Sequence, residues 1–99
     1  MSTYVIGHIR VLDADLWAKY RAAVPATLAP WGAELVLRGG LERVLAGDHP
    51  YTDTVVIRFP DQAAVDGWYG SSEYQSLIPL RQTAADLVLA SFSEAPPSH

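Results

Sequence analysis

Strand and helix patterns follow one another in this sequence in the order β-α-β-(β)-β-α-α-β, where the bracketed segment is short. This order predicts an α+β fold of the ferredoxin-like, split βαβ type. The strand-like runs carry apolar residues on both faces, and the segments between them have helical periodicity. In such a fold an antiparallel sheet carries its helices on one face. The other face needs a second cover, which we expect another copy of the chain to provide.

A strand followed by a long helix opens the chain. Residues 3–12 alternate with the two-residue period of a strand, and both sides of the pattern contain apolar residues. After Asp13 or Asp15, either of which suits a helix N-cap, apolar residues recur every three or four positions. Pro25 lies inside this helical pattern, so we expect it to kink the helix or to divide it into two pieces.

Three more strands are predicted in the rest of the chain, at 33–38, 52–59 and 87–92. Gly39-Gly40 is expected to break the first of these strands at a bend or bulge that aims Arg38 to one side. Residues 41–46 then resume an extended form ahead of a turn. The pattern therefore predicts a four-stranded sheet with one additional short segment.

Two short helices are predicted between the strands at 52–59 and 87–92. Asp61 suits the N-cap of the first helix, Gly70 stops it, and Ser71 or Ser72 caps the second. The hinge between them should bring aromatic and polar side chains together. The side chains concerned are Trp68, Tyr69, Ser72, Tyr74 and Arg81. Mixed lining of this kind is typical of a small-molecule cleft.

Length and composition exclude several classes of function. A chain of 99 residues is expected to form one domain, over residues 1–94, with a flexible tail over residues 95–99. The net charge of −4 and the lack of a basic stripe argue against nucleic acid as a partner. The absence of cysteine excludes disulfides, thiolate metal sites and cysteine catalysis, and it fits a reducing compartment.

Other patterns argue against a membrane segment, a metal or a cofactor. No apolar run approaches membrane-spanning length, and the N-terminal residues do not form a signal peptide, so we expect a cytoplasmic protein without a membrane partner. The three histidines lack metal-ligand spacing. The glycines do not form a phosphate-binding pattern. We therefore expect no metal and no cofactor.

Four motifs, in order along the chain, resemble those of the domain of unknown function 1330 family. They are Tyr-Val-Ile-Gly-His at 4–8, Tyr20 with Val24-Pro25, Arg38-Gly-Gly, and the run from Phe59-Pro60 through Trp68-Tyr69 and Ser72-Glu73-Tyr74 to Arg81. The resemblance covers residues 3–94. It implies a ferredoxin-like fold of the dimeric α+β barrel superfamily, in which two sheets pack face to face in a homodimer.

That superfamily includes cofactor-independent monooxygenases, muconolactone isomerase and ligand-binding proteins. The family itself has no agreed activity, so the resemblance implies a fold rather than a reaction.

The candidate catalytic residues are His8, Tyr69 and Tyr74. His8 lies within a predicted strand, where it is either a core histidine bonded to a neighbouring hydroxyl or carbonyl, or a general base or substrate-orienting group. The tyrosines either orient a carbonyl or donate to an enolate, or they pack as aromatic core with the hydroxyl at the surface.

The candidate ligand-binding residues are Tyr20, Arg38, Trp68, Ser72 and Arg81. Either arginine suits the anchoring of an acidic substrate, because a guanidinium binds a carboxylate in bidentate fashion. The alternative is that each pairs with a local carboxylate, such as Asp86 or Glu73, and holds the fold. Trp68 serves as a core or cleft wall, and Ser72 is alternatively a helix cap.

We expect these residues to surround one cleft, bounded by the first strand, the first helix and the segment 68–81. The side chains expected on its wall are His8, Tyr69, Tyr74 and one of Arg38 or Arg81. Two functions fit the pattern. One is a homodimeric, cofactor-independent enzyme that acts on a small acidic or aromatic metabolite by proton transfer or oxygenation. The other is a non-catalytic ligand-binding or structural interaction module.

Overall fold

A computed structural model describes residues 1–96 and contains four strands in that range. They are β1 (Thr3–Val11), β2 (Glu34–Gly40), β3 (Asp53–Phe59) and β4 (Ala85–Ser93). The strands form one antiparallel sheet in the order β2-β3-β1-β4. Helices follow β1 and β3, as the split βαβ plan requires, so the predicted ferredoxin-like α+β class is confirmed.

Four α-helices accompany the sheet in the described residues. They are α1 (Ala14–Leu28), α2 (Gln62–Gly70), α3 (Ser72–Gln75) and α4 (Ile78–Ala84), and a 3-10 turn at Ala29–Trp31 extends α1. Three of them begin at polar caps, Asp13, Asp61 and Ser71, whose side-chain oxygens accept from the backbone amide three residues later. Each of these caps is one that the sequence predicts.

The sheet has one face covered by helices. Val5 lies opposite Ile57, and Thr3 lies opposite Phe59, so these side chains share a face. Val5, Ile57 and Phe59 are buried in a single core with side chains from the helices, namely Tyr20, Leu28, Val65, Trp68 and Tyr74. We call this side of the sheet the covered face. Its burial against α1, α2 and α3 accounts for most of the apolar core.

The opposite side of the sheet, here called the open face, is also rich in apolar residues. It presents Tyr4, Ile6, His8, Leu37, Val56, Val88 and Phe92. The exposed fractions of Leu37, Val88 and Phe92 are 54%, 46% and 52%. Large apolar side chains exposed across one face of a sheet are typical of an interaction surface.

Because Gly7 in β1 has no side chain, residues of the neighbouring strands can pack over it on the covered face. A Cβ atom at this position would lie 2.8 Å from Cδ2 of Leu89 and 2.9 Å from Cγ1 of Val55. The side chains of β3 and β4 therefore meet above β1 only because residue 7 has no side chain.

Strand β2 differs from its prediction. The expected break at Gly39-Gly40 is wrong, because both glycines pair with β3 and neither has a positive φ. The irregularity lies earlier, as a register shift between Leu35 and Leu37. Residues 41–52 contain no strand or helix, so the extended segment expected at 41–46 does not join the sheet.

The helices also differ from their predictions in two places. Helix α1 is not divided at Pro25, since it runs unbroken from Ala14 to Leu28. The single helix expected after Ser71 is instead two, α3 and α4. Pro79 lies in the first turn of α4. A proline is accepted there because the first amides of a helix have no intrahelical partner.

Residues 94–96 have no regular secondary structure. The rest of the tail expected at 95–99, including His99, lies outside the described residues. Within residues 1–96, no helix combines the length and the apolar character that a membrane span requires.

Candidate functional site

A cavity of about 250 Å³ lies between α1 and the covered face of the sheet. Its helix side is formed by Trp17, Tyr20 and Val24, which follow one another at spacings of three and four residues. Its sheet side is formed by side chains of β1, β3 and β4, and these are Ile9, Val55, Ile57, Leu87 and Leu89. The walls are therefore mainly apolar, which suits an organic ligand.

Two aromatic rings of α1 make one wall of the cavity. The rings of Trp17 and Tyr20 are stacked, with centroids 5.0 Å apart and an interplanar angle of 26°. Trp68 of α2 also lines the cavity, and its indole Nε1 donates to the Thr27 hydroxyl at 3.0 Å. That bond satisfies the one polar atom of a nearly fully buried side chain, so the indole is held in one orientation.

A chain of hydrogen bonds leads from the cavity wall to the surface, and we call it the tyrosine–arginine chain. The hydroxyls of Tyr20 and Tyr74 are 2.7 Å apart. Arg81 Nη1 donates to the Tyr74 hydroxyl at 3.0 Å and lies 3.4 Å from the Tyr69 hydroxyl. Tyr20 is the member of this chain that lines the cavity. The others lie behind it, so they act on a ligand only through Tyr20.

The surroundings of this chain set the charge of its members. Burial raises the pKa of the Tyr20 phenol well above its usual value, and the neighbouring Tyr74 adds to the effect. Burial opposes the charge of Arg81, but hydrogen bonds to Tyr69 and Tyr74 outweigh it and raise the pKa of the guanidinium. Tyr20 is therefore a neutral phenol and Arg81 a cation at physiological pH.

Two arginines lie at the rim of the cavity. Arg38 of β2 and Arg21 of α1 both line it, and both are exposed. No carboxylate lies within 4.0 Å of either guanidinium in residues 1–96, where the ion pairs are Arg10 with Asp86 and Arg58 with Glu34. Arg38 therefore does not form the structural ion pair considered as the alternative to ligand binding.

Arg81 also lacks the ion pair that was considered for it. Its guanidinium contacts tyrosine hydroxyls, and the carboxylate of Asp86 is bonded to Arg10 at 2.6 Å. Arg81 does not line the cavity. One of Arg38 and Arg81 was expected on the cleft wall; the structure places Arg38 there and puts Arg81 behind Tyr74.

His8 lies on the wrong side of the sheet for the expected cleft. Its neighbours Gly7 and Ile9 face the helices, so the two-residue period of the strand turns His8 to the open face. There its Nδ1 atom is 2.9 Å from the Thr54 hydroxyl, and its ring lies edge-on to that of His49. The prediction that His8 shares a pocket with Tyr69 and Tyr74 is wrong, because the sheet separates them.

Ser72 is not part of the cavity either. It is an exposed residue in the first turn of α3, and its hydroxyl lies 3.4 Å from the Glu73 carboxylate. Ser71 is the residue that caps this helix. The structure therefore brings Tyr20, Arg38 and Trp68 to the cavity and leaves Ser72 outside it.

Arg21 lines the cavity but was not among the candidate ligand-binding residues. The signal was present in the spacing, because Arg21 lies four residues after Trp17 and three before Val24, on the apolar side of α1. An arginine stem can lie along an apolar stripe while its charged end reaches water. Among residues 1–96, no group of three or more histidine, aspartate, glutamate or cysteine side chains is arranged to hold a metal ion.

Solved structures with the same fold cover nearly all of this chain. A protein of unknown function from Rhodopseudomonas palustris matches with a TM-score of 0.83 and 19% identity, over 97% of this chain and 84% of that one. A dimeric ferredoxin-like protein of unknown function from Thermobifida fusca matches with a TM-score of 0.67 and 17% identity, over 95% and 92% of the two chains.

SnoaB, a cofactor-independent oxygenase from Streptomyces nogalater, matches with a TM-score of 0.71 and 11% identity, over 96% of this chain and 94% of that one. At such identities these likenesses show the fold alone. A comparison with curated proteins gives no match. The family model described as a domain of unknown function, DUF1330, matches residues 2–94. Because that match spans nearly the whole chain and agrees with the fold, the chain belongs to the DUF1330 family.

Proposed function

We propose that this protein is a homodimer that binds a small aromatic molecule in the cavity between α1 and the sheet. The observation that carries the proposal is the cavity itself, which stays open beside a core of buried, packed side chains. The cavity of about 250 Å³ opens to solvent at its rim and has mainly apolar walls, and this is the usual form of a small-molecule site.

The shape and chemistry of the walls support an aromatic occupant. Ligand sites are mostly apolar clefts with a small number of placed polar groups, and this cavity lies near the small end of their size range. The rings of Trp17 and Tyr20 both line the cavity, and aromatic rings pack favourably against an aromatic ligand. Two fused rings fit this volume, and a third ring can extend towards solvent because the residues at the rim are exposed.

The open face supports the homodimer. Leu37, Val88 and Phe92 are each about half exposed there, and the described residues provide no layer that buries them. A second copy placed sheet to sheet would remove these side chains from water, as apolar homodimer interfaces do. The likeness to solved proteins described as dimeric is consistent with this arrangement.

Binding is tested with the neutral fluorophore N-phenyl-1-naphthylamine, which brightens in apolar sites. Val24 lines the cavity and is half-buried. Val24→Phe should fill part of the space and weaken binding at least tenfold, whereas Val24→Ala should leave binding intact. Val88→Ser on the open face is the matched control, and it should not change the affinity.

The proposal fails if the fluorophore binds equally well to the protein and to Val24→Phe, with both folded by circular dichroism. It fails also if Val88→Ser abolishes binding, because the open face would then be the binding surface.

A second candidate function is a cofactor-independent enzyme, and the tyrosine–arginine chain favours it. Tyr20 is a protonated phenol on the cavity wall with the cationic Arg81 one hydroxyl behind it. Such a donor stabilises negative charge that develops on a ligand oxygen. The cavity lining contains no histidine, aspartate or glutamate within the described part of the chain, so no side-chain base for proton abstraction stands beside that donor.

A turnover assay distinguishes the binding protein from the cofactor-independent enzyme. An aromatic ligand that binds should be recovered unchanged, by mass spectrometry, after long incubation in air if the protein only binds it. Conversion that is lost in Tyr20→Phe while binding is retained would establish the enzyme instead.

A further inference from the structure

A β-bulge decides which face of the sheet carries Arg38. Leu35 lies opposite Ile57 on the covered face, and strict alternation would place residue 37 on that face and residue 38 on the open one. The register shift after Leu35 reverses this order, so that Leu37 lies opposite Val56 and Arg38 opposite Val55. Bulges commonly re-aim a side chain next to a site. The extra residue, Val36, therefore turns Arg38 to the cavity side.

The charges around the cavity are of one sign. Arg38 on the sheet and Arg21 on α1 line it from two sides, and no aspartate or glutamate lines it in the described residues. The other arginines of the sheet, Arg10 and Arg58, are paired with carboxylates. The chain as a whole carries a net charge of −4. Two uncompensated guanidiniums at one rim are therefore a local departure from the overall charge.

We propose that the ligand of this cavity is an aromatic carboxylate, with its ring between α1 and the sheet and its carboxylate held at the rim by Arg38 and Arg21. The proposal rests on the function proposed above and names the chemical class of the ligand. A guanidinium presents two N–H groups in a fork that matches the two oxygens of a carboxylate. The apolar walls take the ring, and the rim lies where the carboxylate keeps part of its hydration.

The test compares two probes that differ in charge and hardly in shape, 2-naphthoate and 2-naphthamide. Each is titrated as a competitor of bound N-phenyl-1-naphthylamine. The protein should bind the acid more tightly than the amide by roughly twofold to fivefold, the range for a partly exposed charge pair. Raising the salt concentration should reduce this preference, because salt screens exposed charges.

The variants assign the preference to particular residues. Arg38→Gln should bring the affinities for acid and amide close together without weakening the amide, and Arg38→Lys should keep part of the preference. Arg21→Gln should have the same effect in smaller measure. The matched control is Arg43→Gln, since Arg43 is exposed but lies outside the cavity. It should leave both affinities unchanged.

Equal binding of acid and amide by the unaltered protein would overturn the proposal. A loss of acid preference in Arg43→Gln as large as in Arg38→Gln would also overturn it, because a general charge effect would then explain the result. If N-phenyl-1-naphthylamine binds in the cavity and only the acid preference is absent, the proposed function stands and the carboxylate is excluded. If that fluorophore does not bind in the cavity, both proposals are overturned.

Discussion

Tyr20 is the residue at which the packing of α1 and the lining of the cavity meet. Its ring is buried in the core against Trp17, and its hydroxyl is shared with Tyr74. A buried hydroxyl costs free energy unless it is hydrogen-bonded, and the bond to Tyr74 offsets that cost for Tyr20. One side chain thus links the stability of the core to the chemistry of the cavity.

Because the pKa of Tyr20 is raised, the protein should lose stability at alkaline pH. Tyrosine in the unfolded chain loses its proton near the ordinary pKa of 10.0, whereas the folded protein holds the Tyr20 proton to higher pH. The stabilisation by Tyr20 is therefore full below about pH 10 and falls as the pH rises towards the folded pKa, by about 1.4 kcal/mol for each pH unit.

Thermal unfolding of the protein and of Tyr20→Phe measures this effect. At neutral pH the variant should be less stable by about 1 kcal/mol, the usual contribution of one hydrogen bond. The difference in Tm should narrow above about pH 10 and then reverse. Comparing the two proteins at each pH cancels the titration of all other groups. A difference that stays constant up to about pH 11 would contradict the prediction.

Thr27 tests how a single hydroxyl fixes the cavity wall. Its Oγ1 atom accepts from Trp68 Nε1 at 3.0 Å and donates to the Val24 carbonyl at 2.7 Å. Thr27→Val keeps the shape but leaves the buried indole N–H without a partner, which should cost about 1–3 kcal/mol of the free energy of unfolding. Denaturant unfolding measures the loss.

The control for that change is Thr83→Val. Thr83 also donates to a backbone carbonyl in its own helix, that of Pro79, but it is exposed. Water replaces its lost bond, so the free energy of unfolding should change by less than about 0.5 kcal/mol. Equal losses in the two variants would show that the bond from Trp68 to Thr27 does not stabilise the fold.

At the scale of elements, α2 packs against the 3-10 turn that follows α1. A Cβ atom at Gly67 of α2 would lie 2.7 Å from Cη2 of the half-buried Trp31. Glycine lowers the helix propensity of α2, but it allows the tryptophan ring to lie flat against the helix. The close approach of the two elements therefore depends on this one position.

Substitutions at two glycines of α2 distinguish the effect of helix propensity on stability from the effect of packing. Gly67→Ala should destabilise the protein by about 1 kcal/mol, because overpacking against Trp31 exceeds the gain in helix propensity. Gly70→Ala should be neutral or stabilising, since nothing lies within 4 Å of the added methyl group. Chemical denaturation of both variants gives the comparison. A gain in stability in both would show that Trp31 moves aside without cost.

At the scale of the whole molecule, the open face is the largest feature that the described residues leave unexplained. Strand β4 lies at one edge of the sheet and carries Val88 and Phe92 on this face. If two copies pack sheet to sheet, a charge placed there must be buried without a partner, which is strongly unfavourable.

Val88→Lys should therefore convert a dimer at micromolar concentration into a monomer in sedimentation velocity experiments. Gln82→Lys adds the same charge on the exposed side of α4 and should leave the dimer intact. A monomer in the absence of any substitution, or a Val88→Lys variant that stays dimeric, would show that the open face is not the dimer interface.

Local patterns in the sequence were sufficient to predict the helices and strands and their order along the chain. The two-residue period of β1, the helical spacing from Trp17 to Leu28 and the caps at Asp13 and Asp61 depend on neighbours along the chain, and the structure confirms each of them. The order of these elements then restricts the topology to few possibilities, because connections between strands are short and do not cross. The amino-acid sequence by itself therefore determines the fold class and the family.

Only the tertiary structure decided which candidate residues share a site. Alternation in β1 already separated His8 from Gly7 and Ile9, but both faces of the strand are apolar, so sequence could not tell which face the helices cover. The bulge after Leu35 then reversed the direction of Arg38. A side chain's face depends on register and on the layer packed against it, and both are set by contacts between residues far apart in the chain.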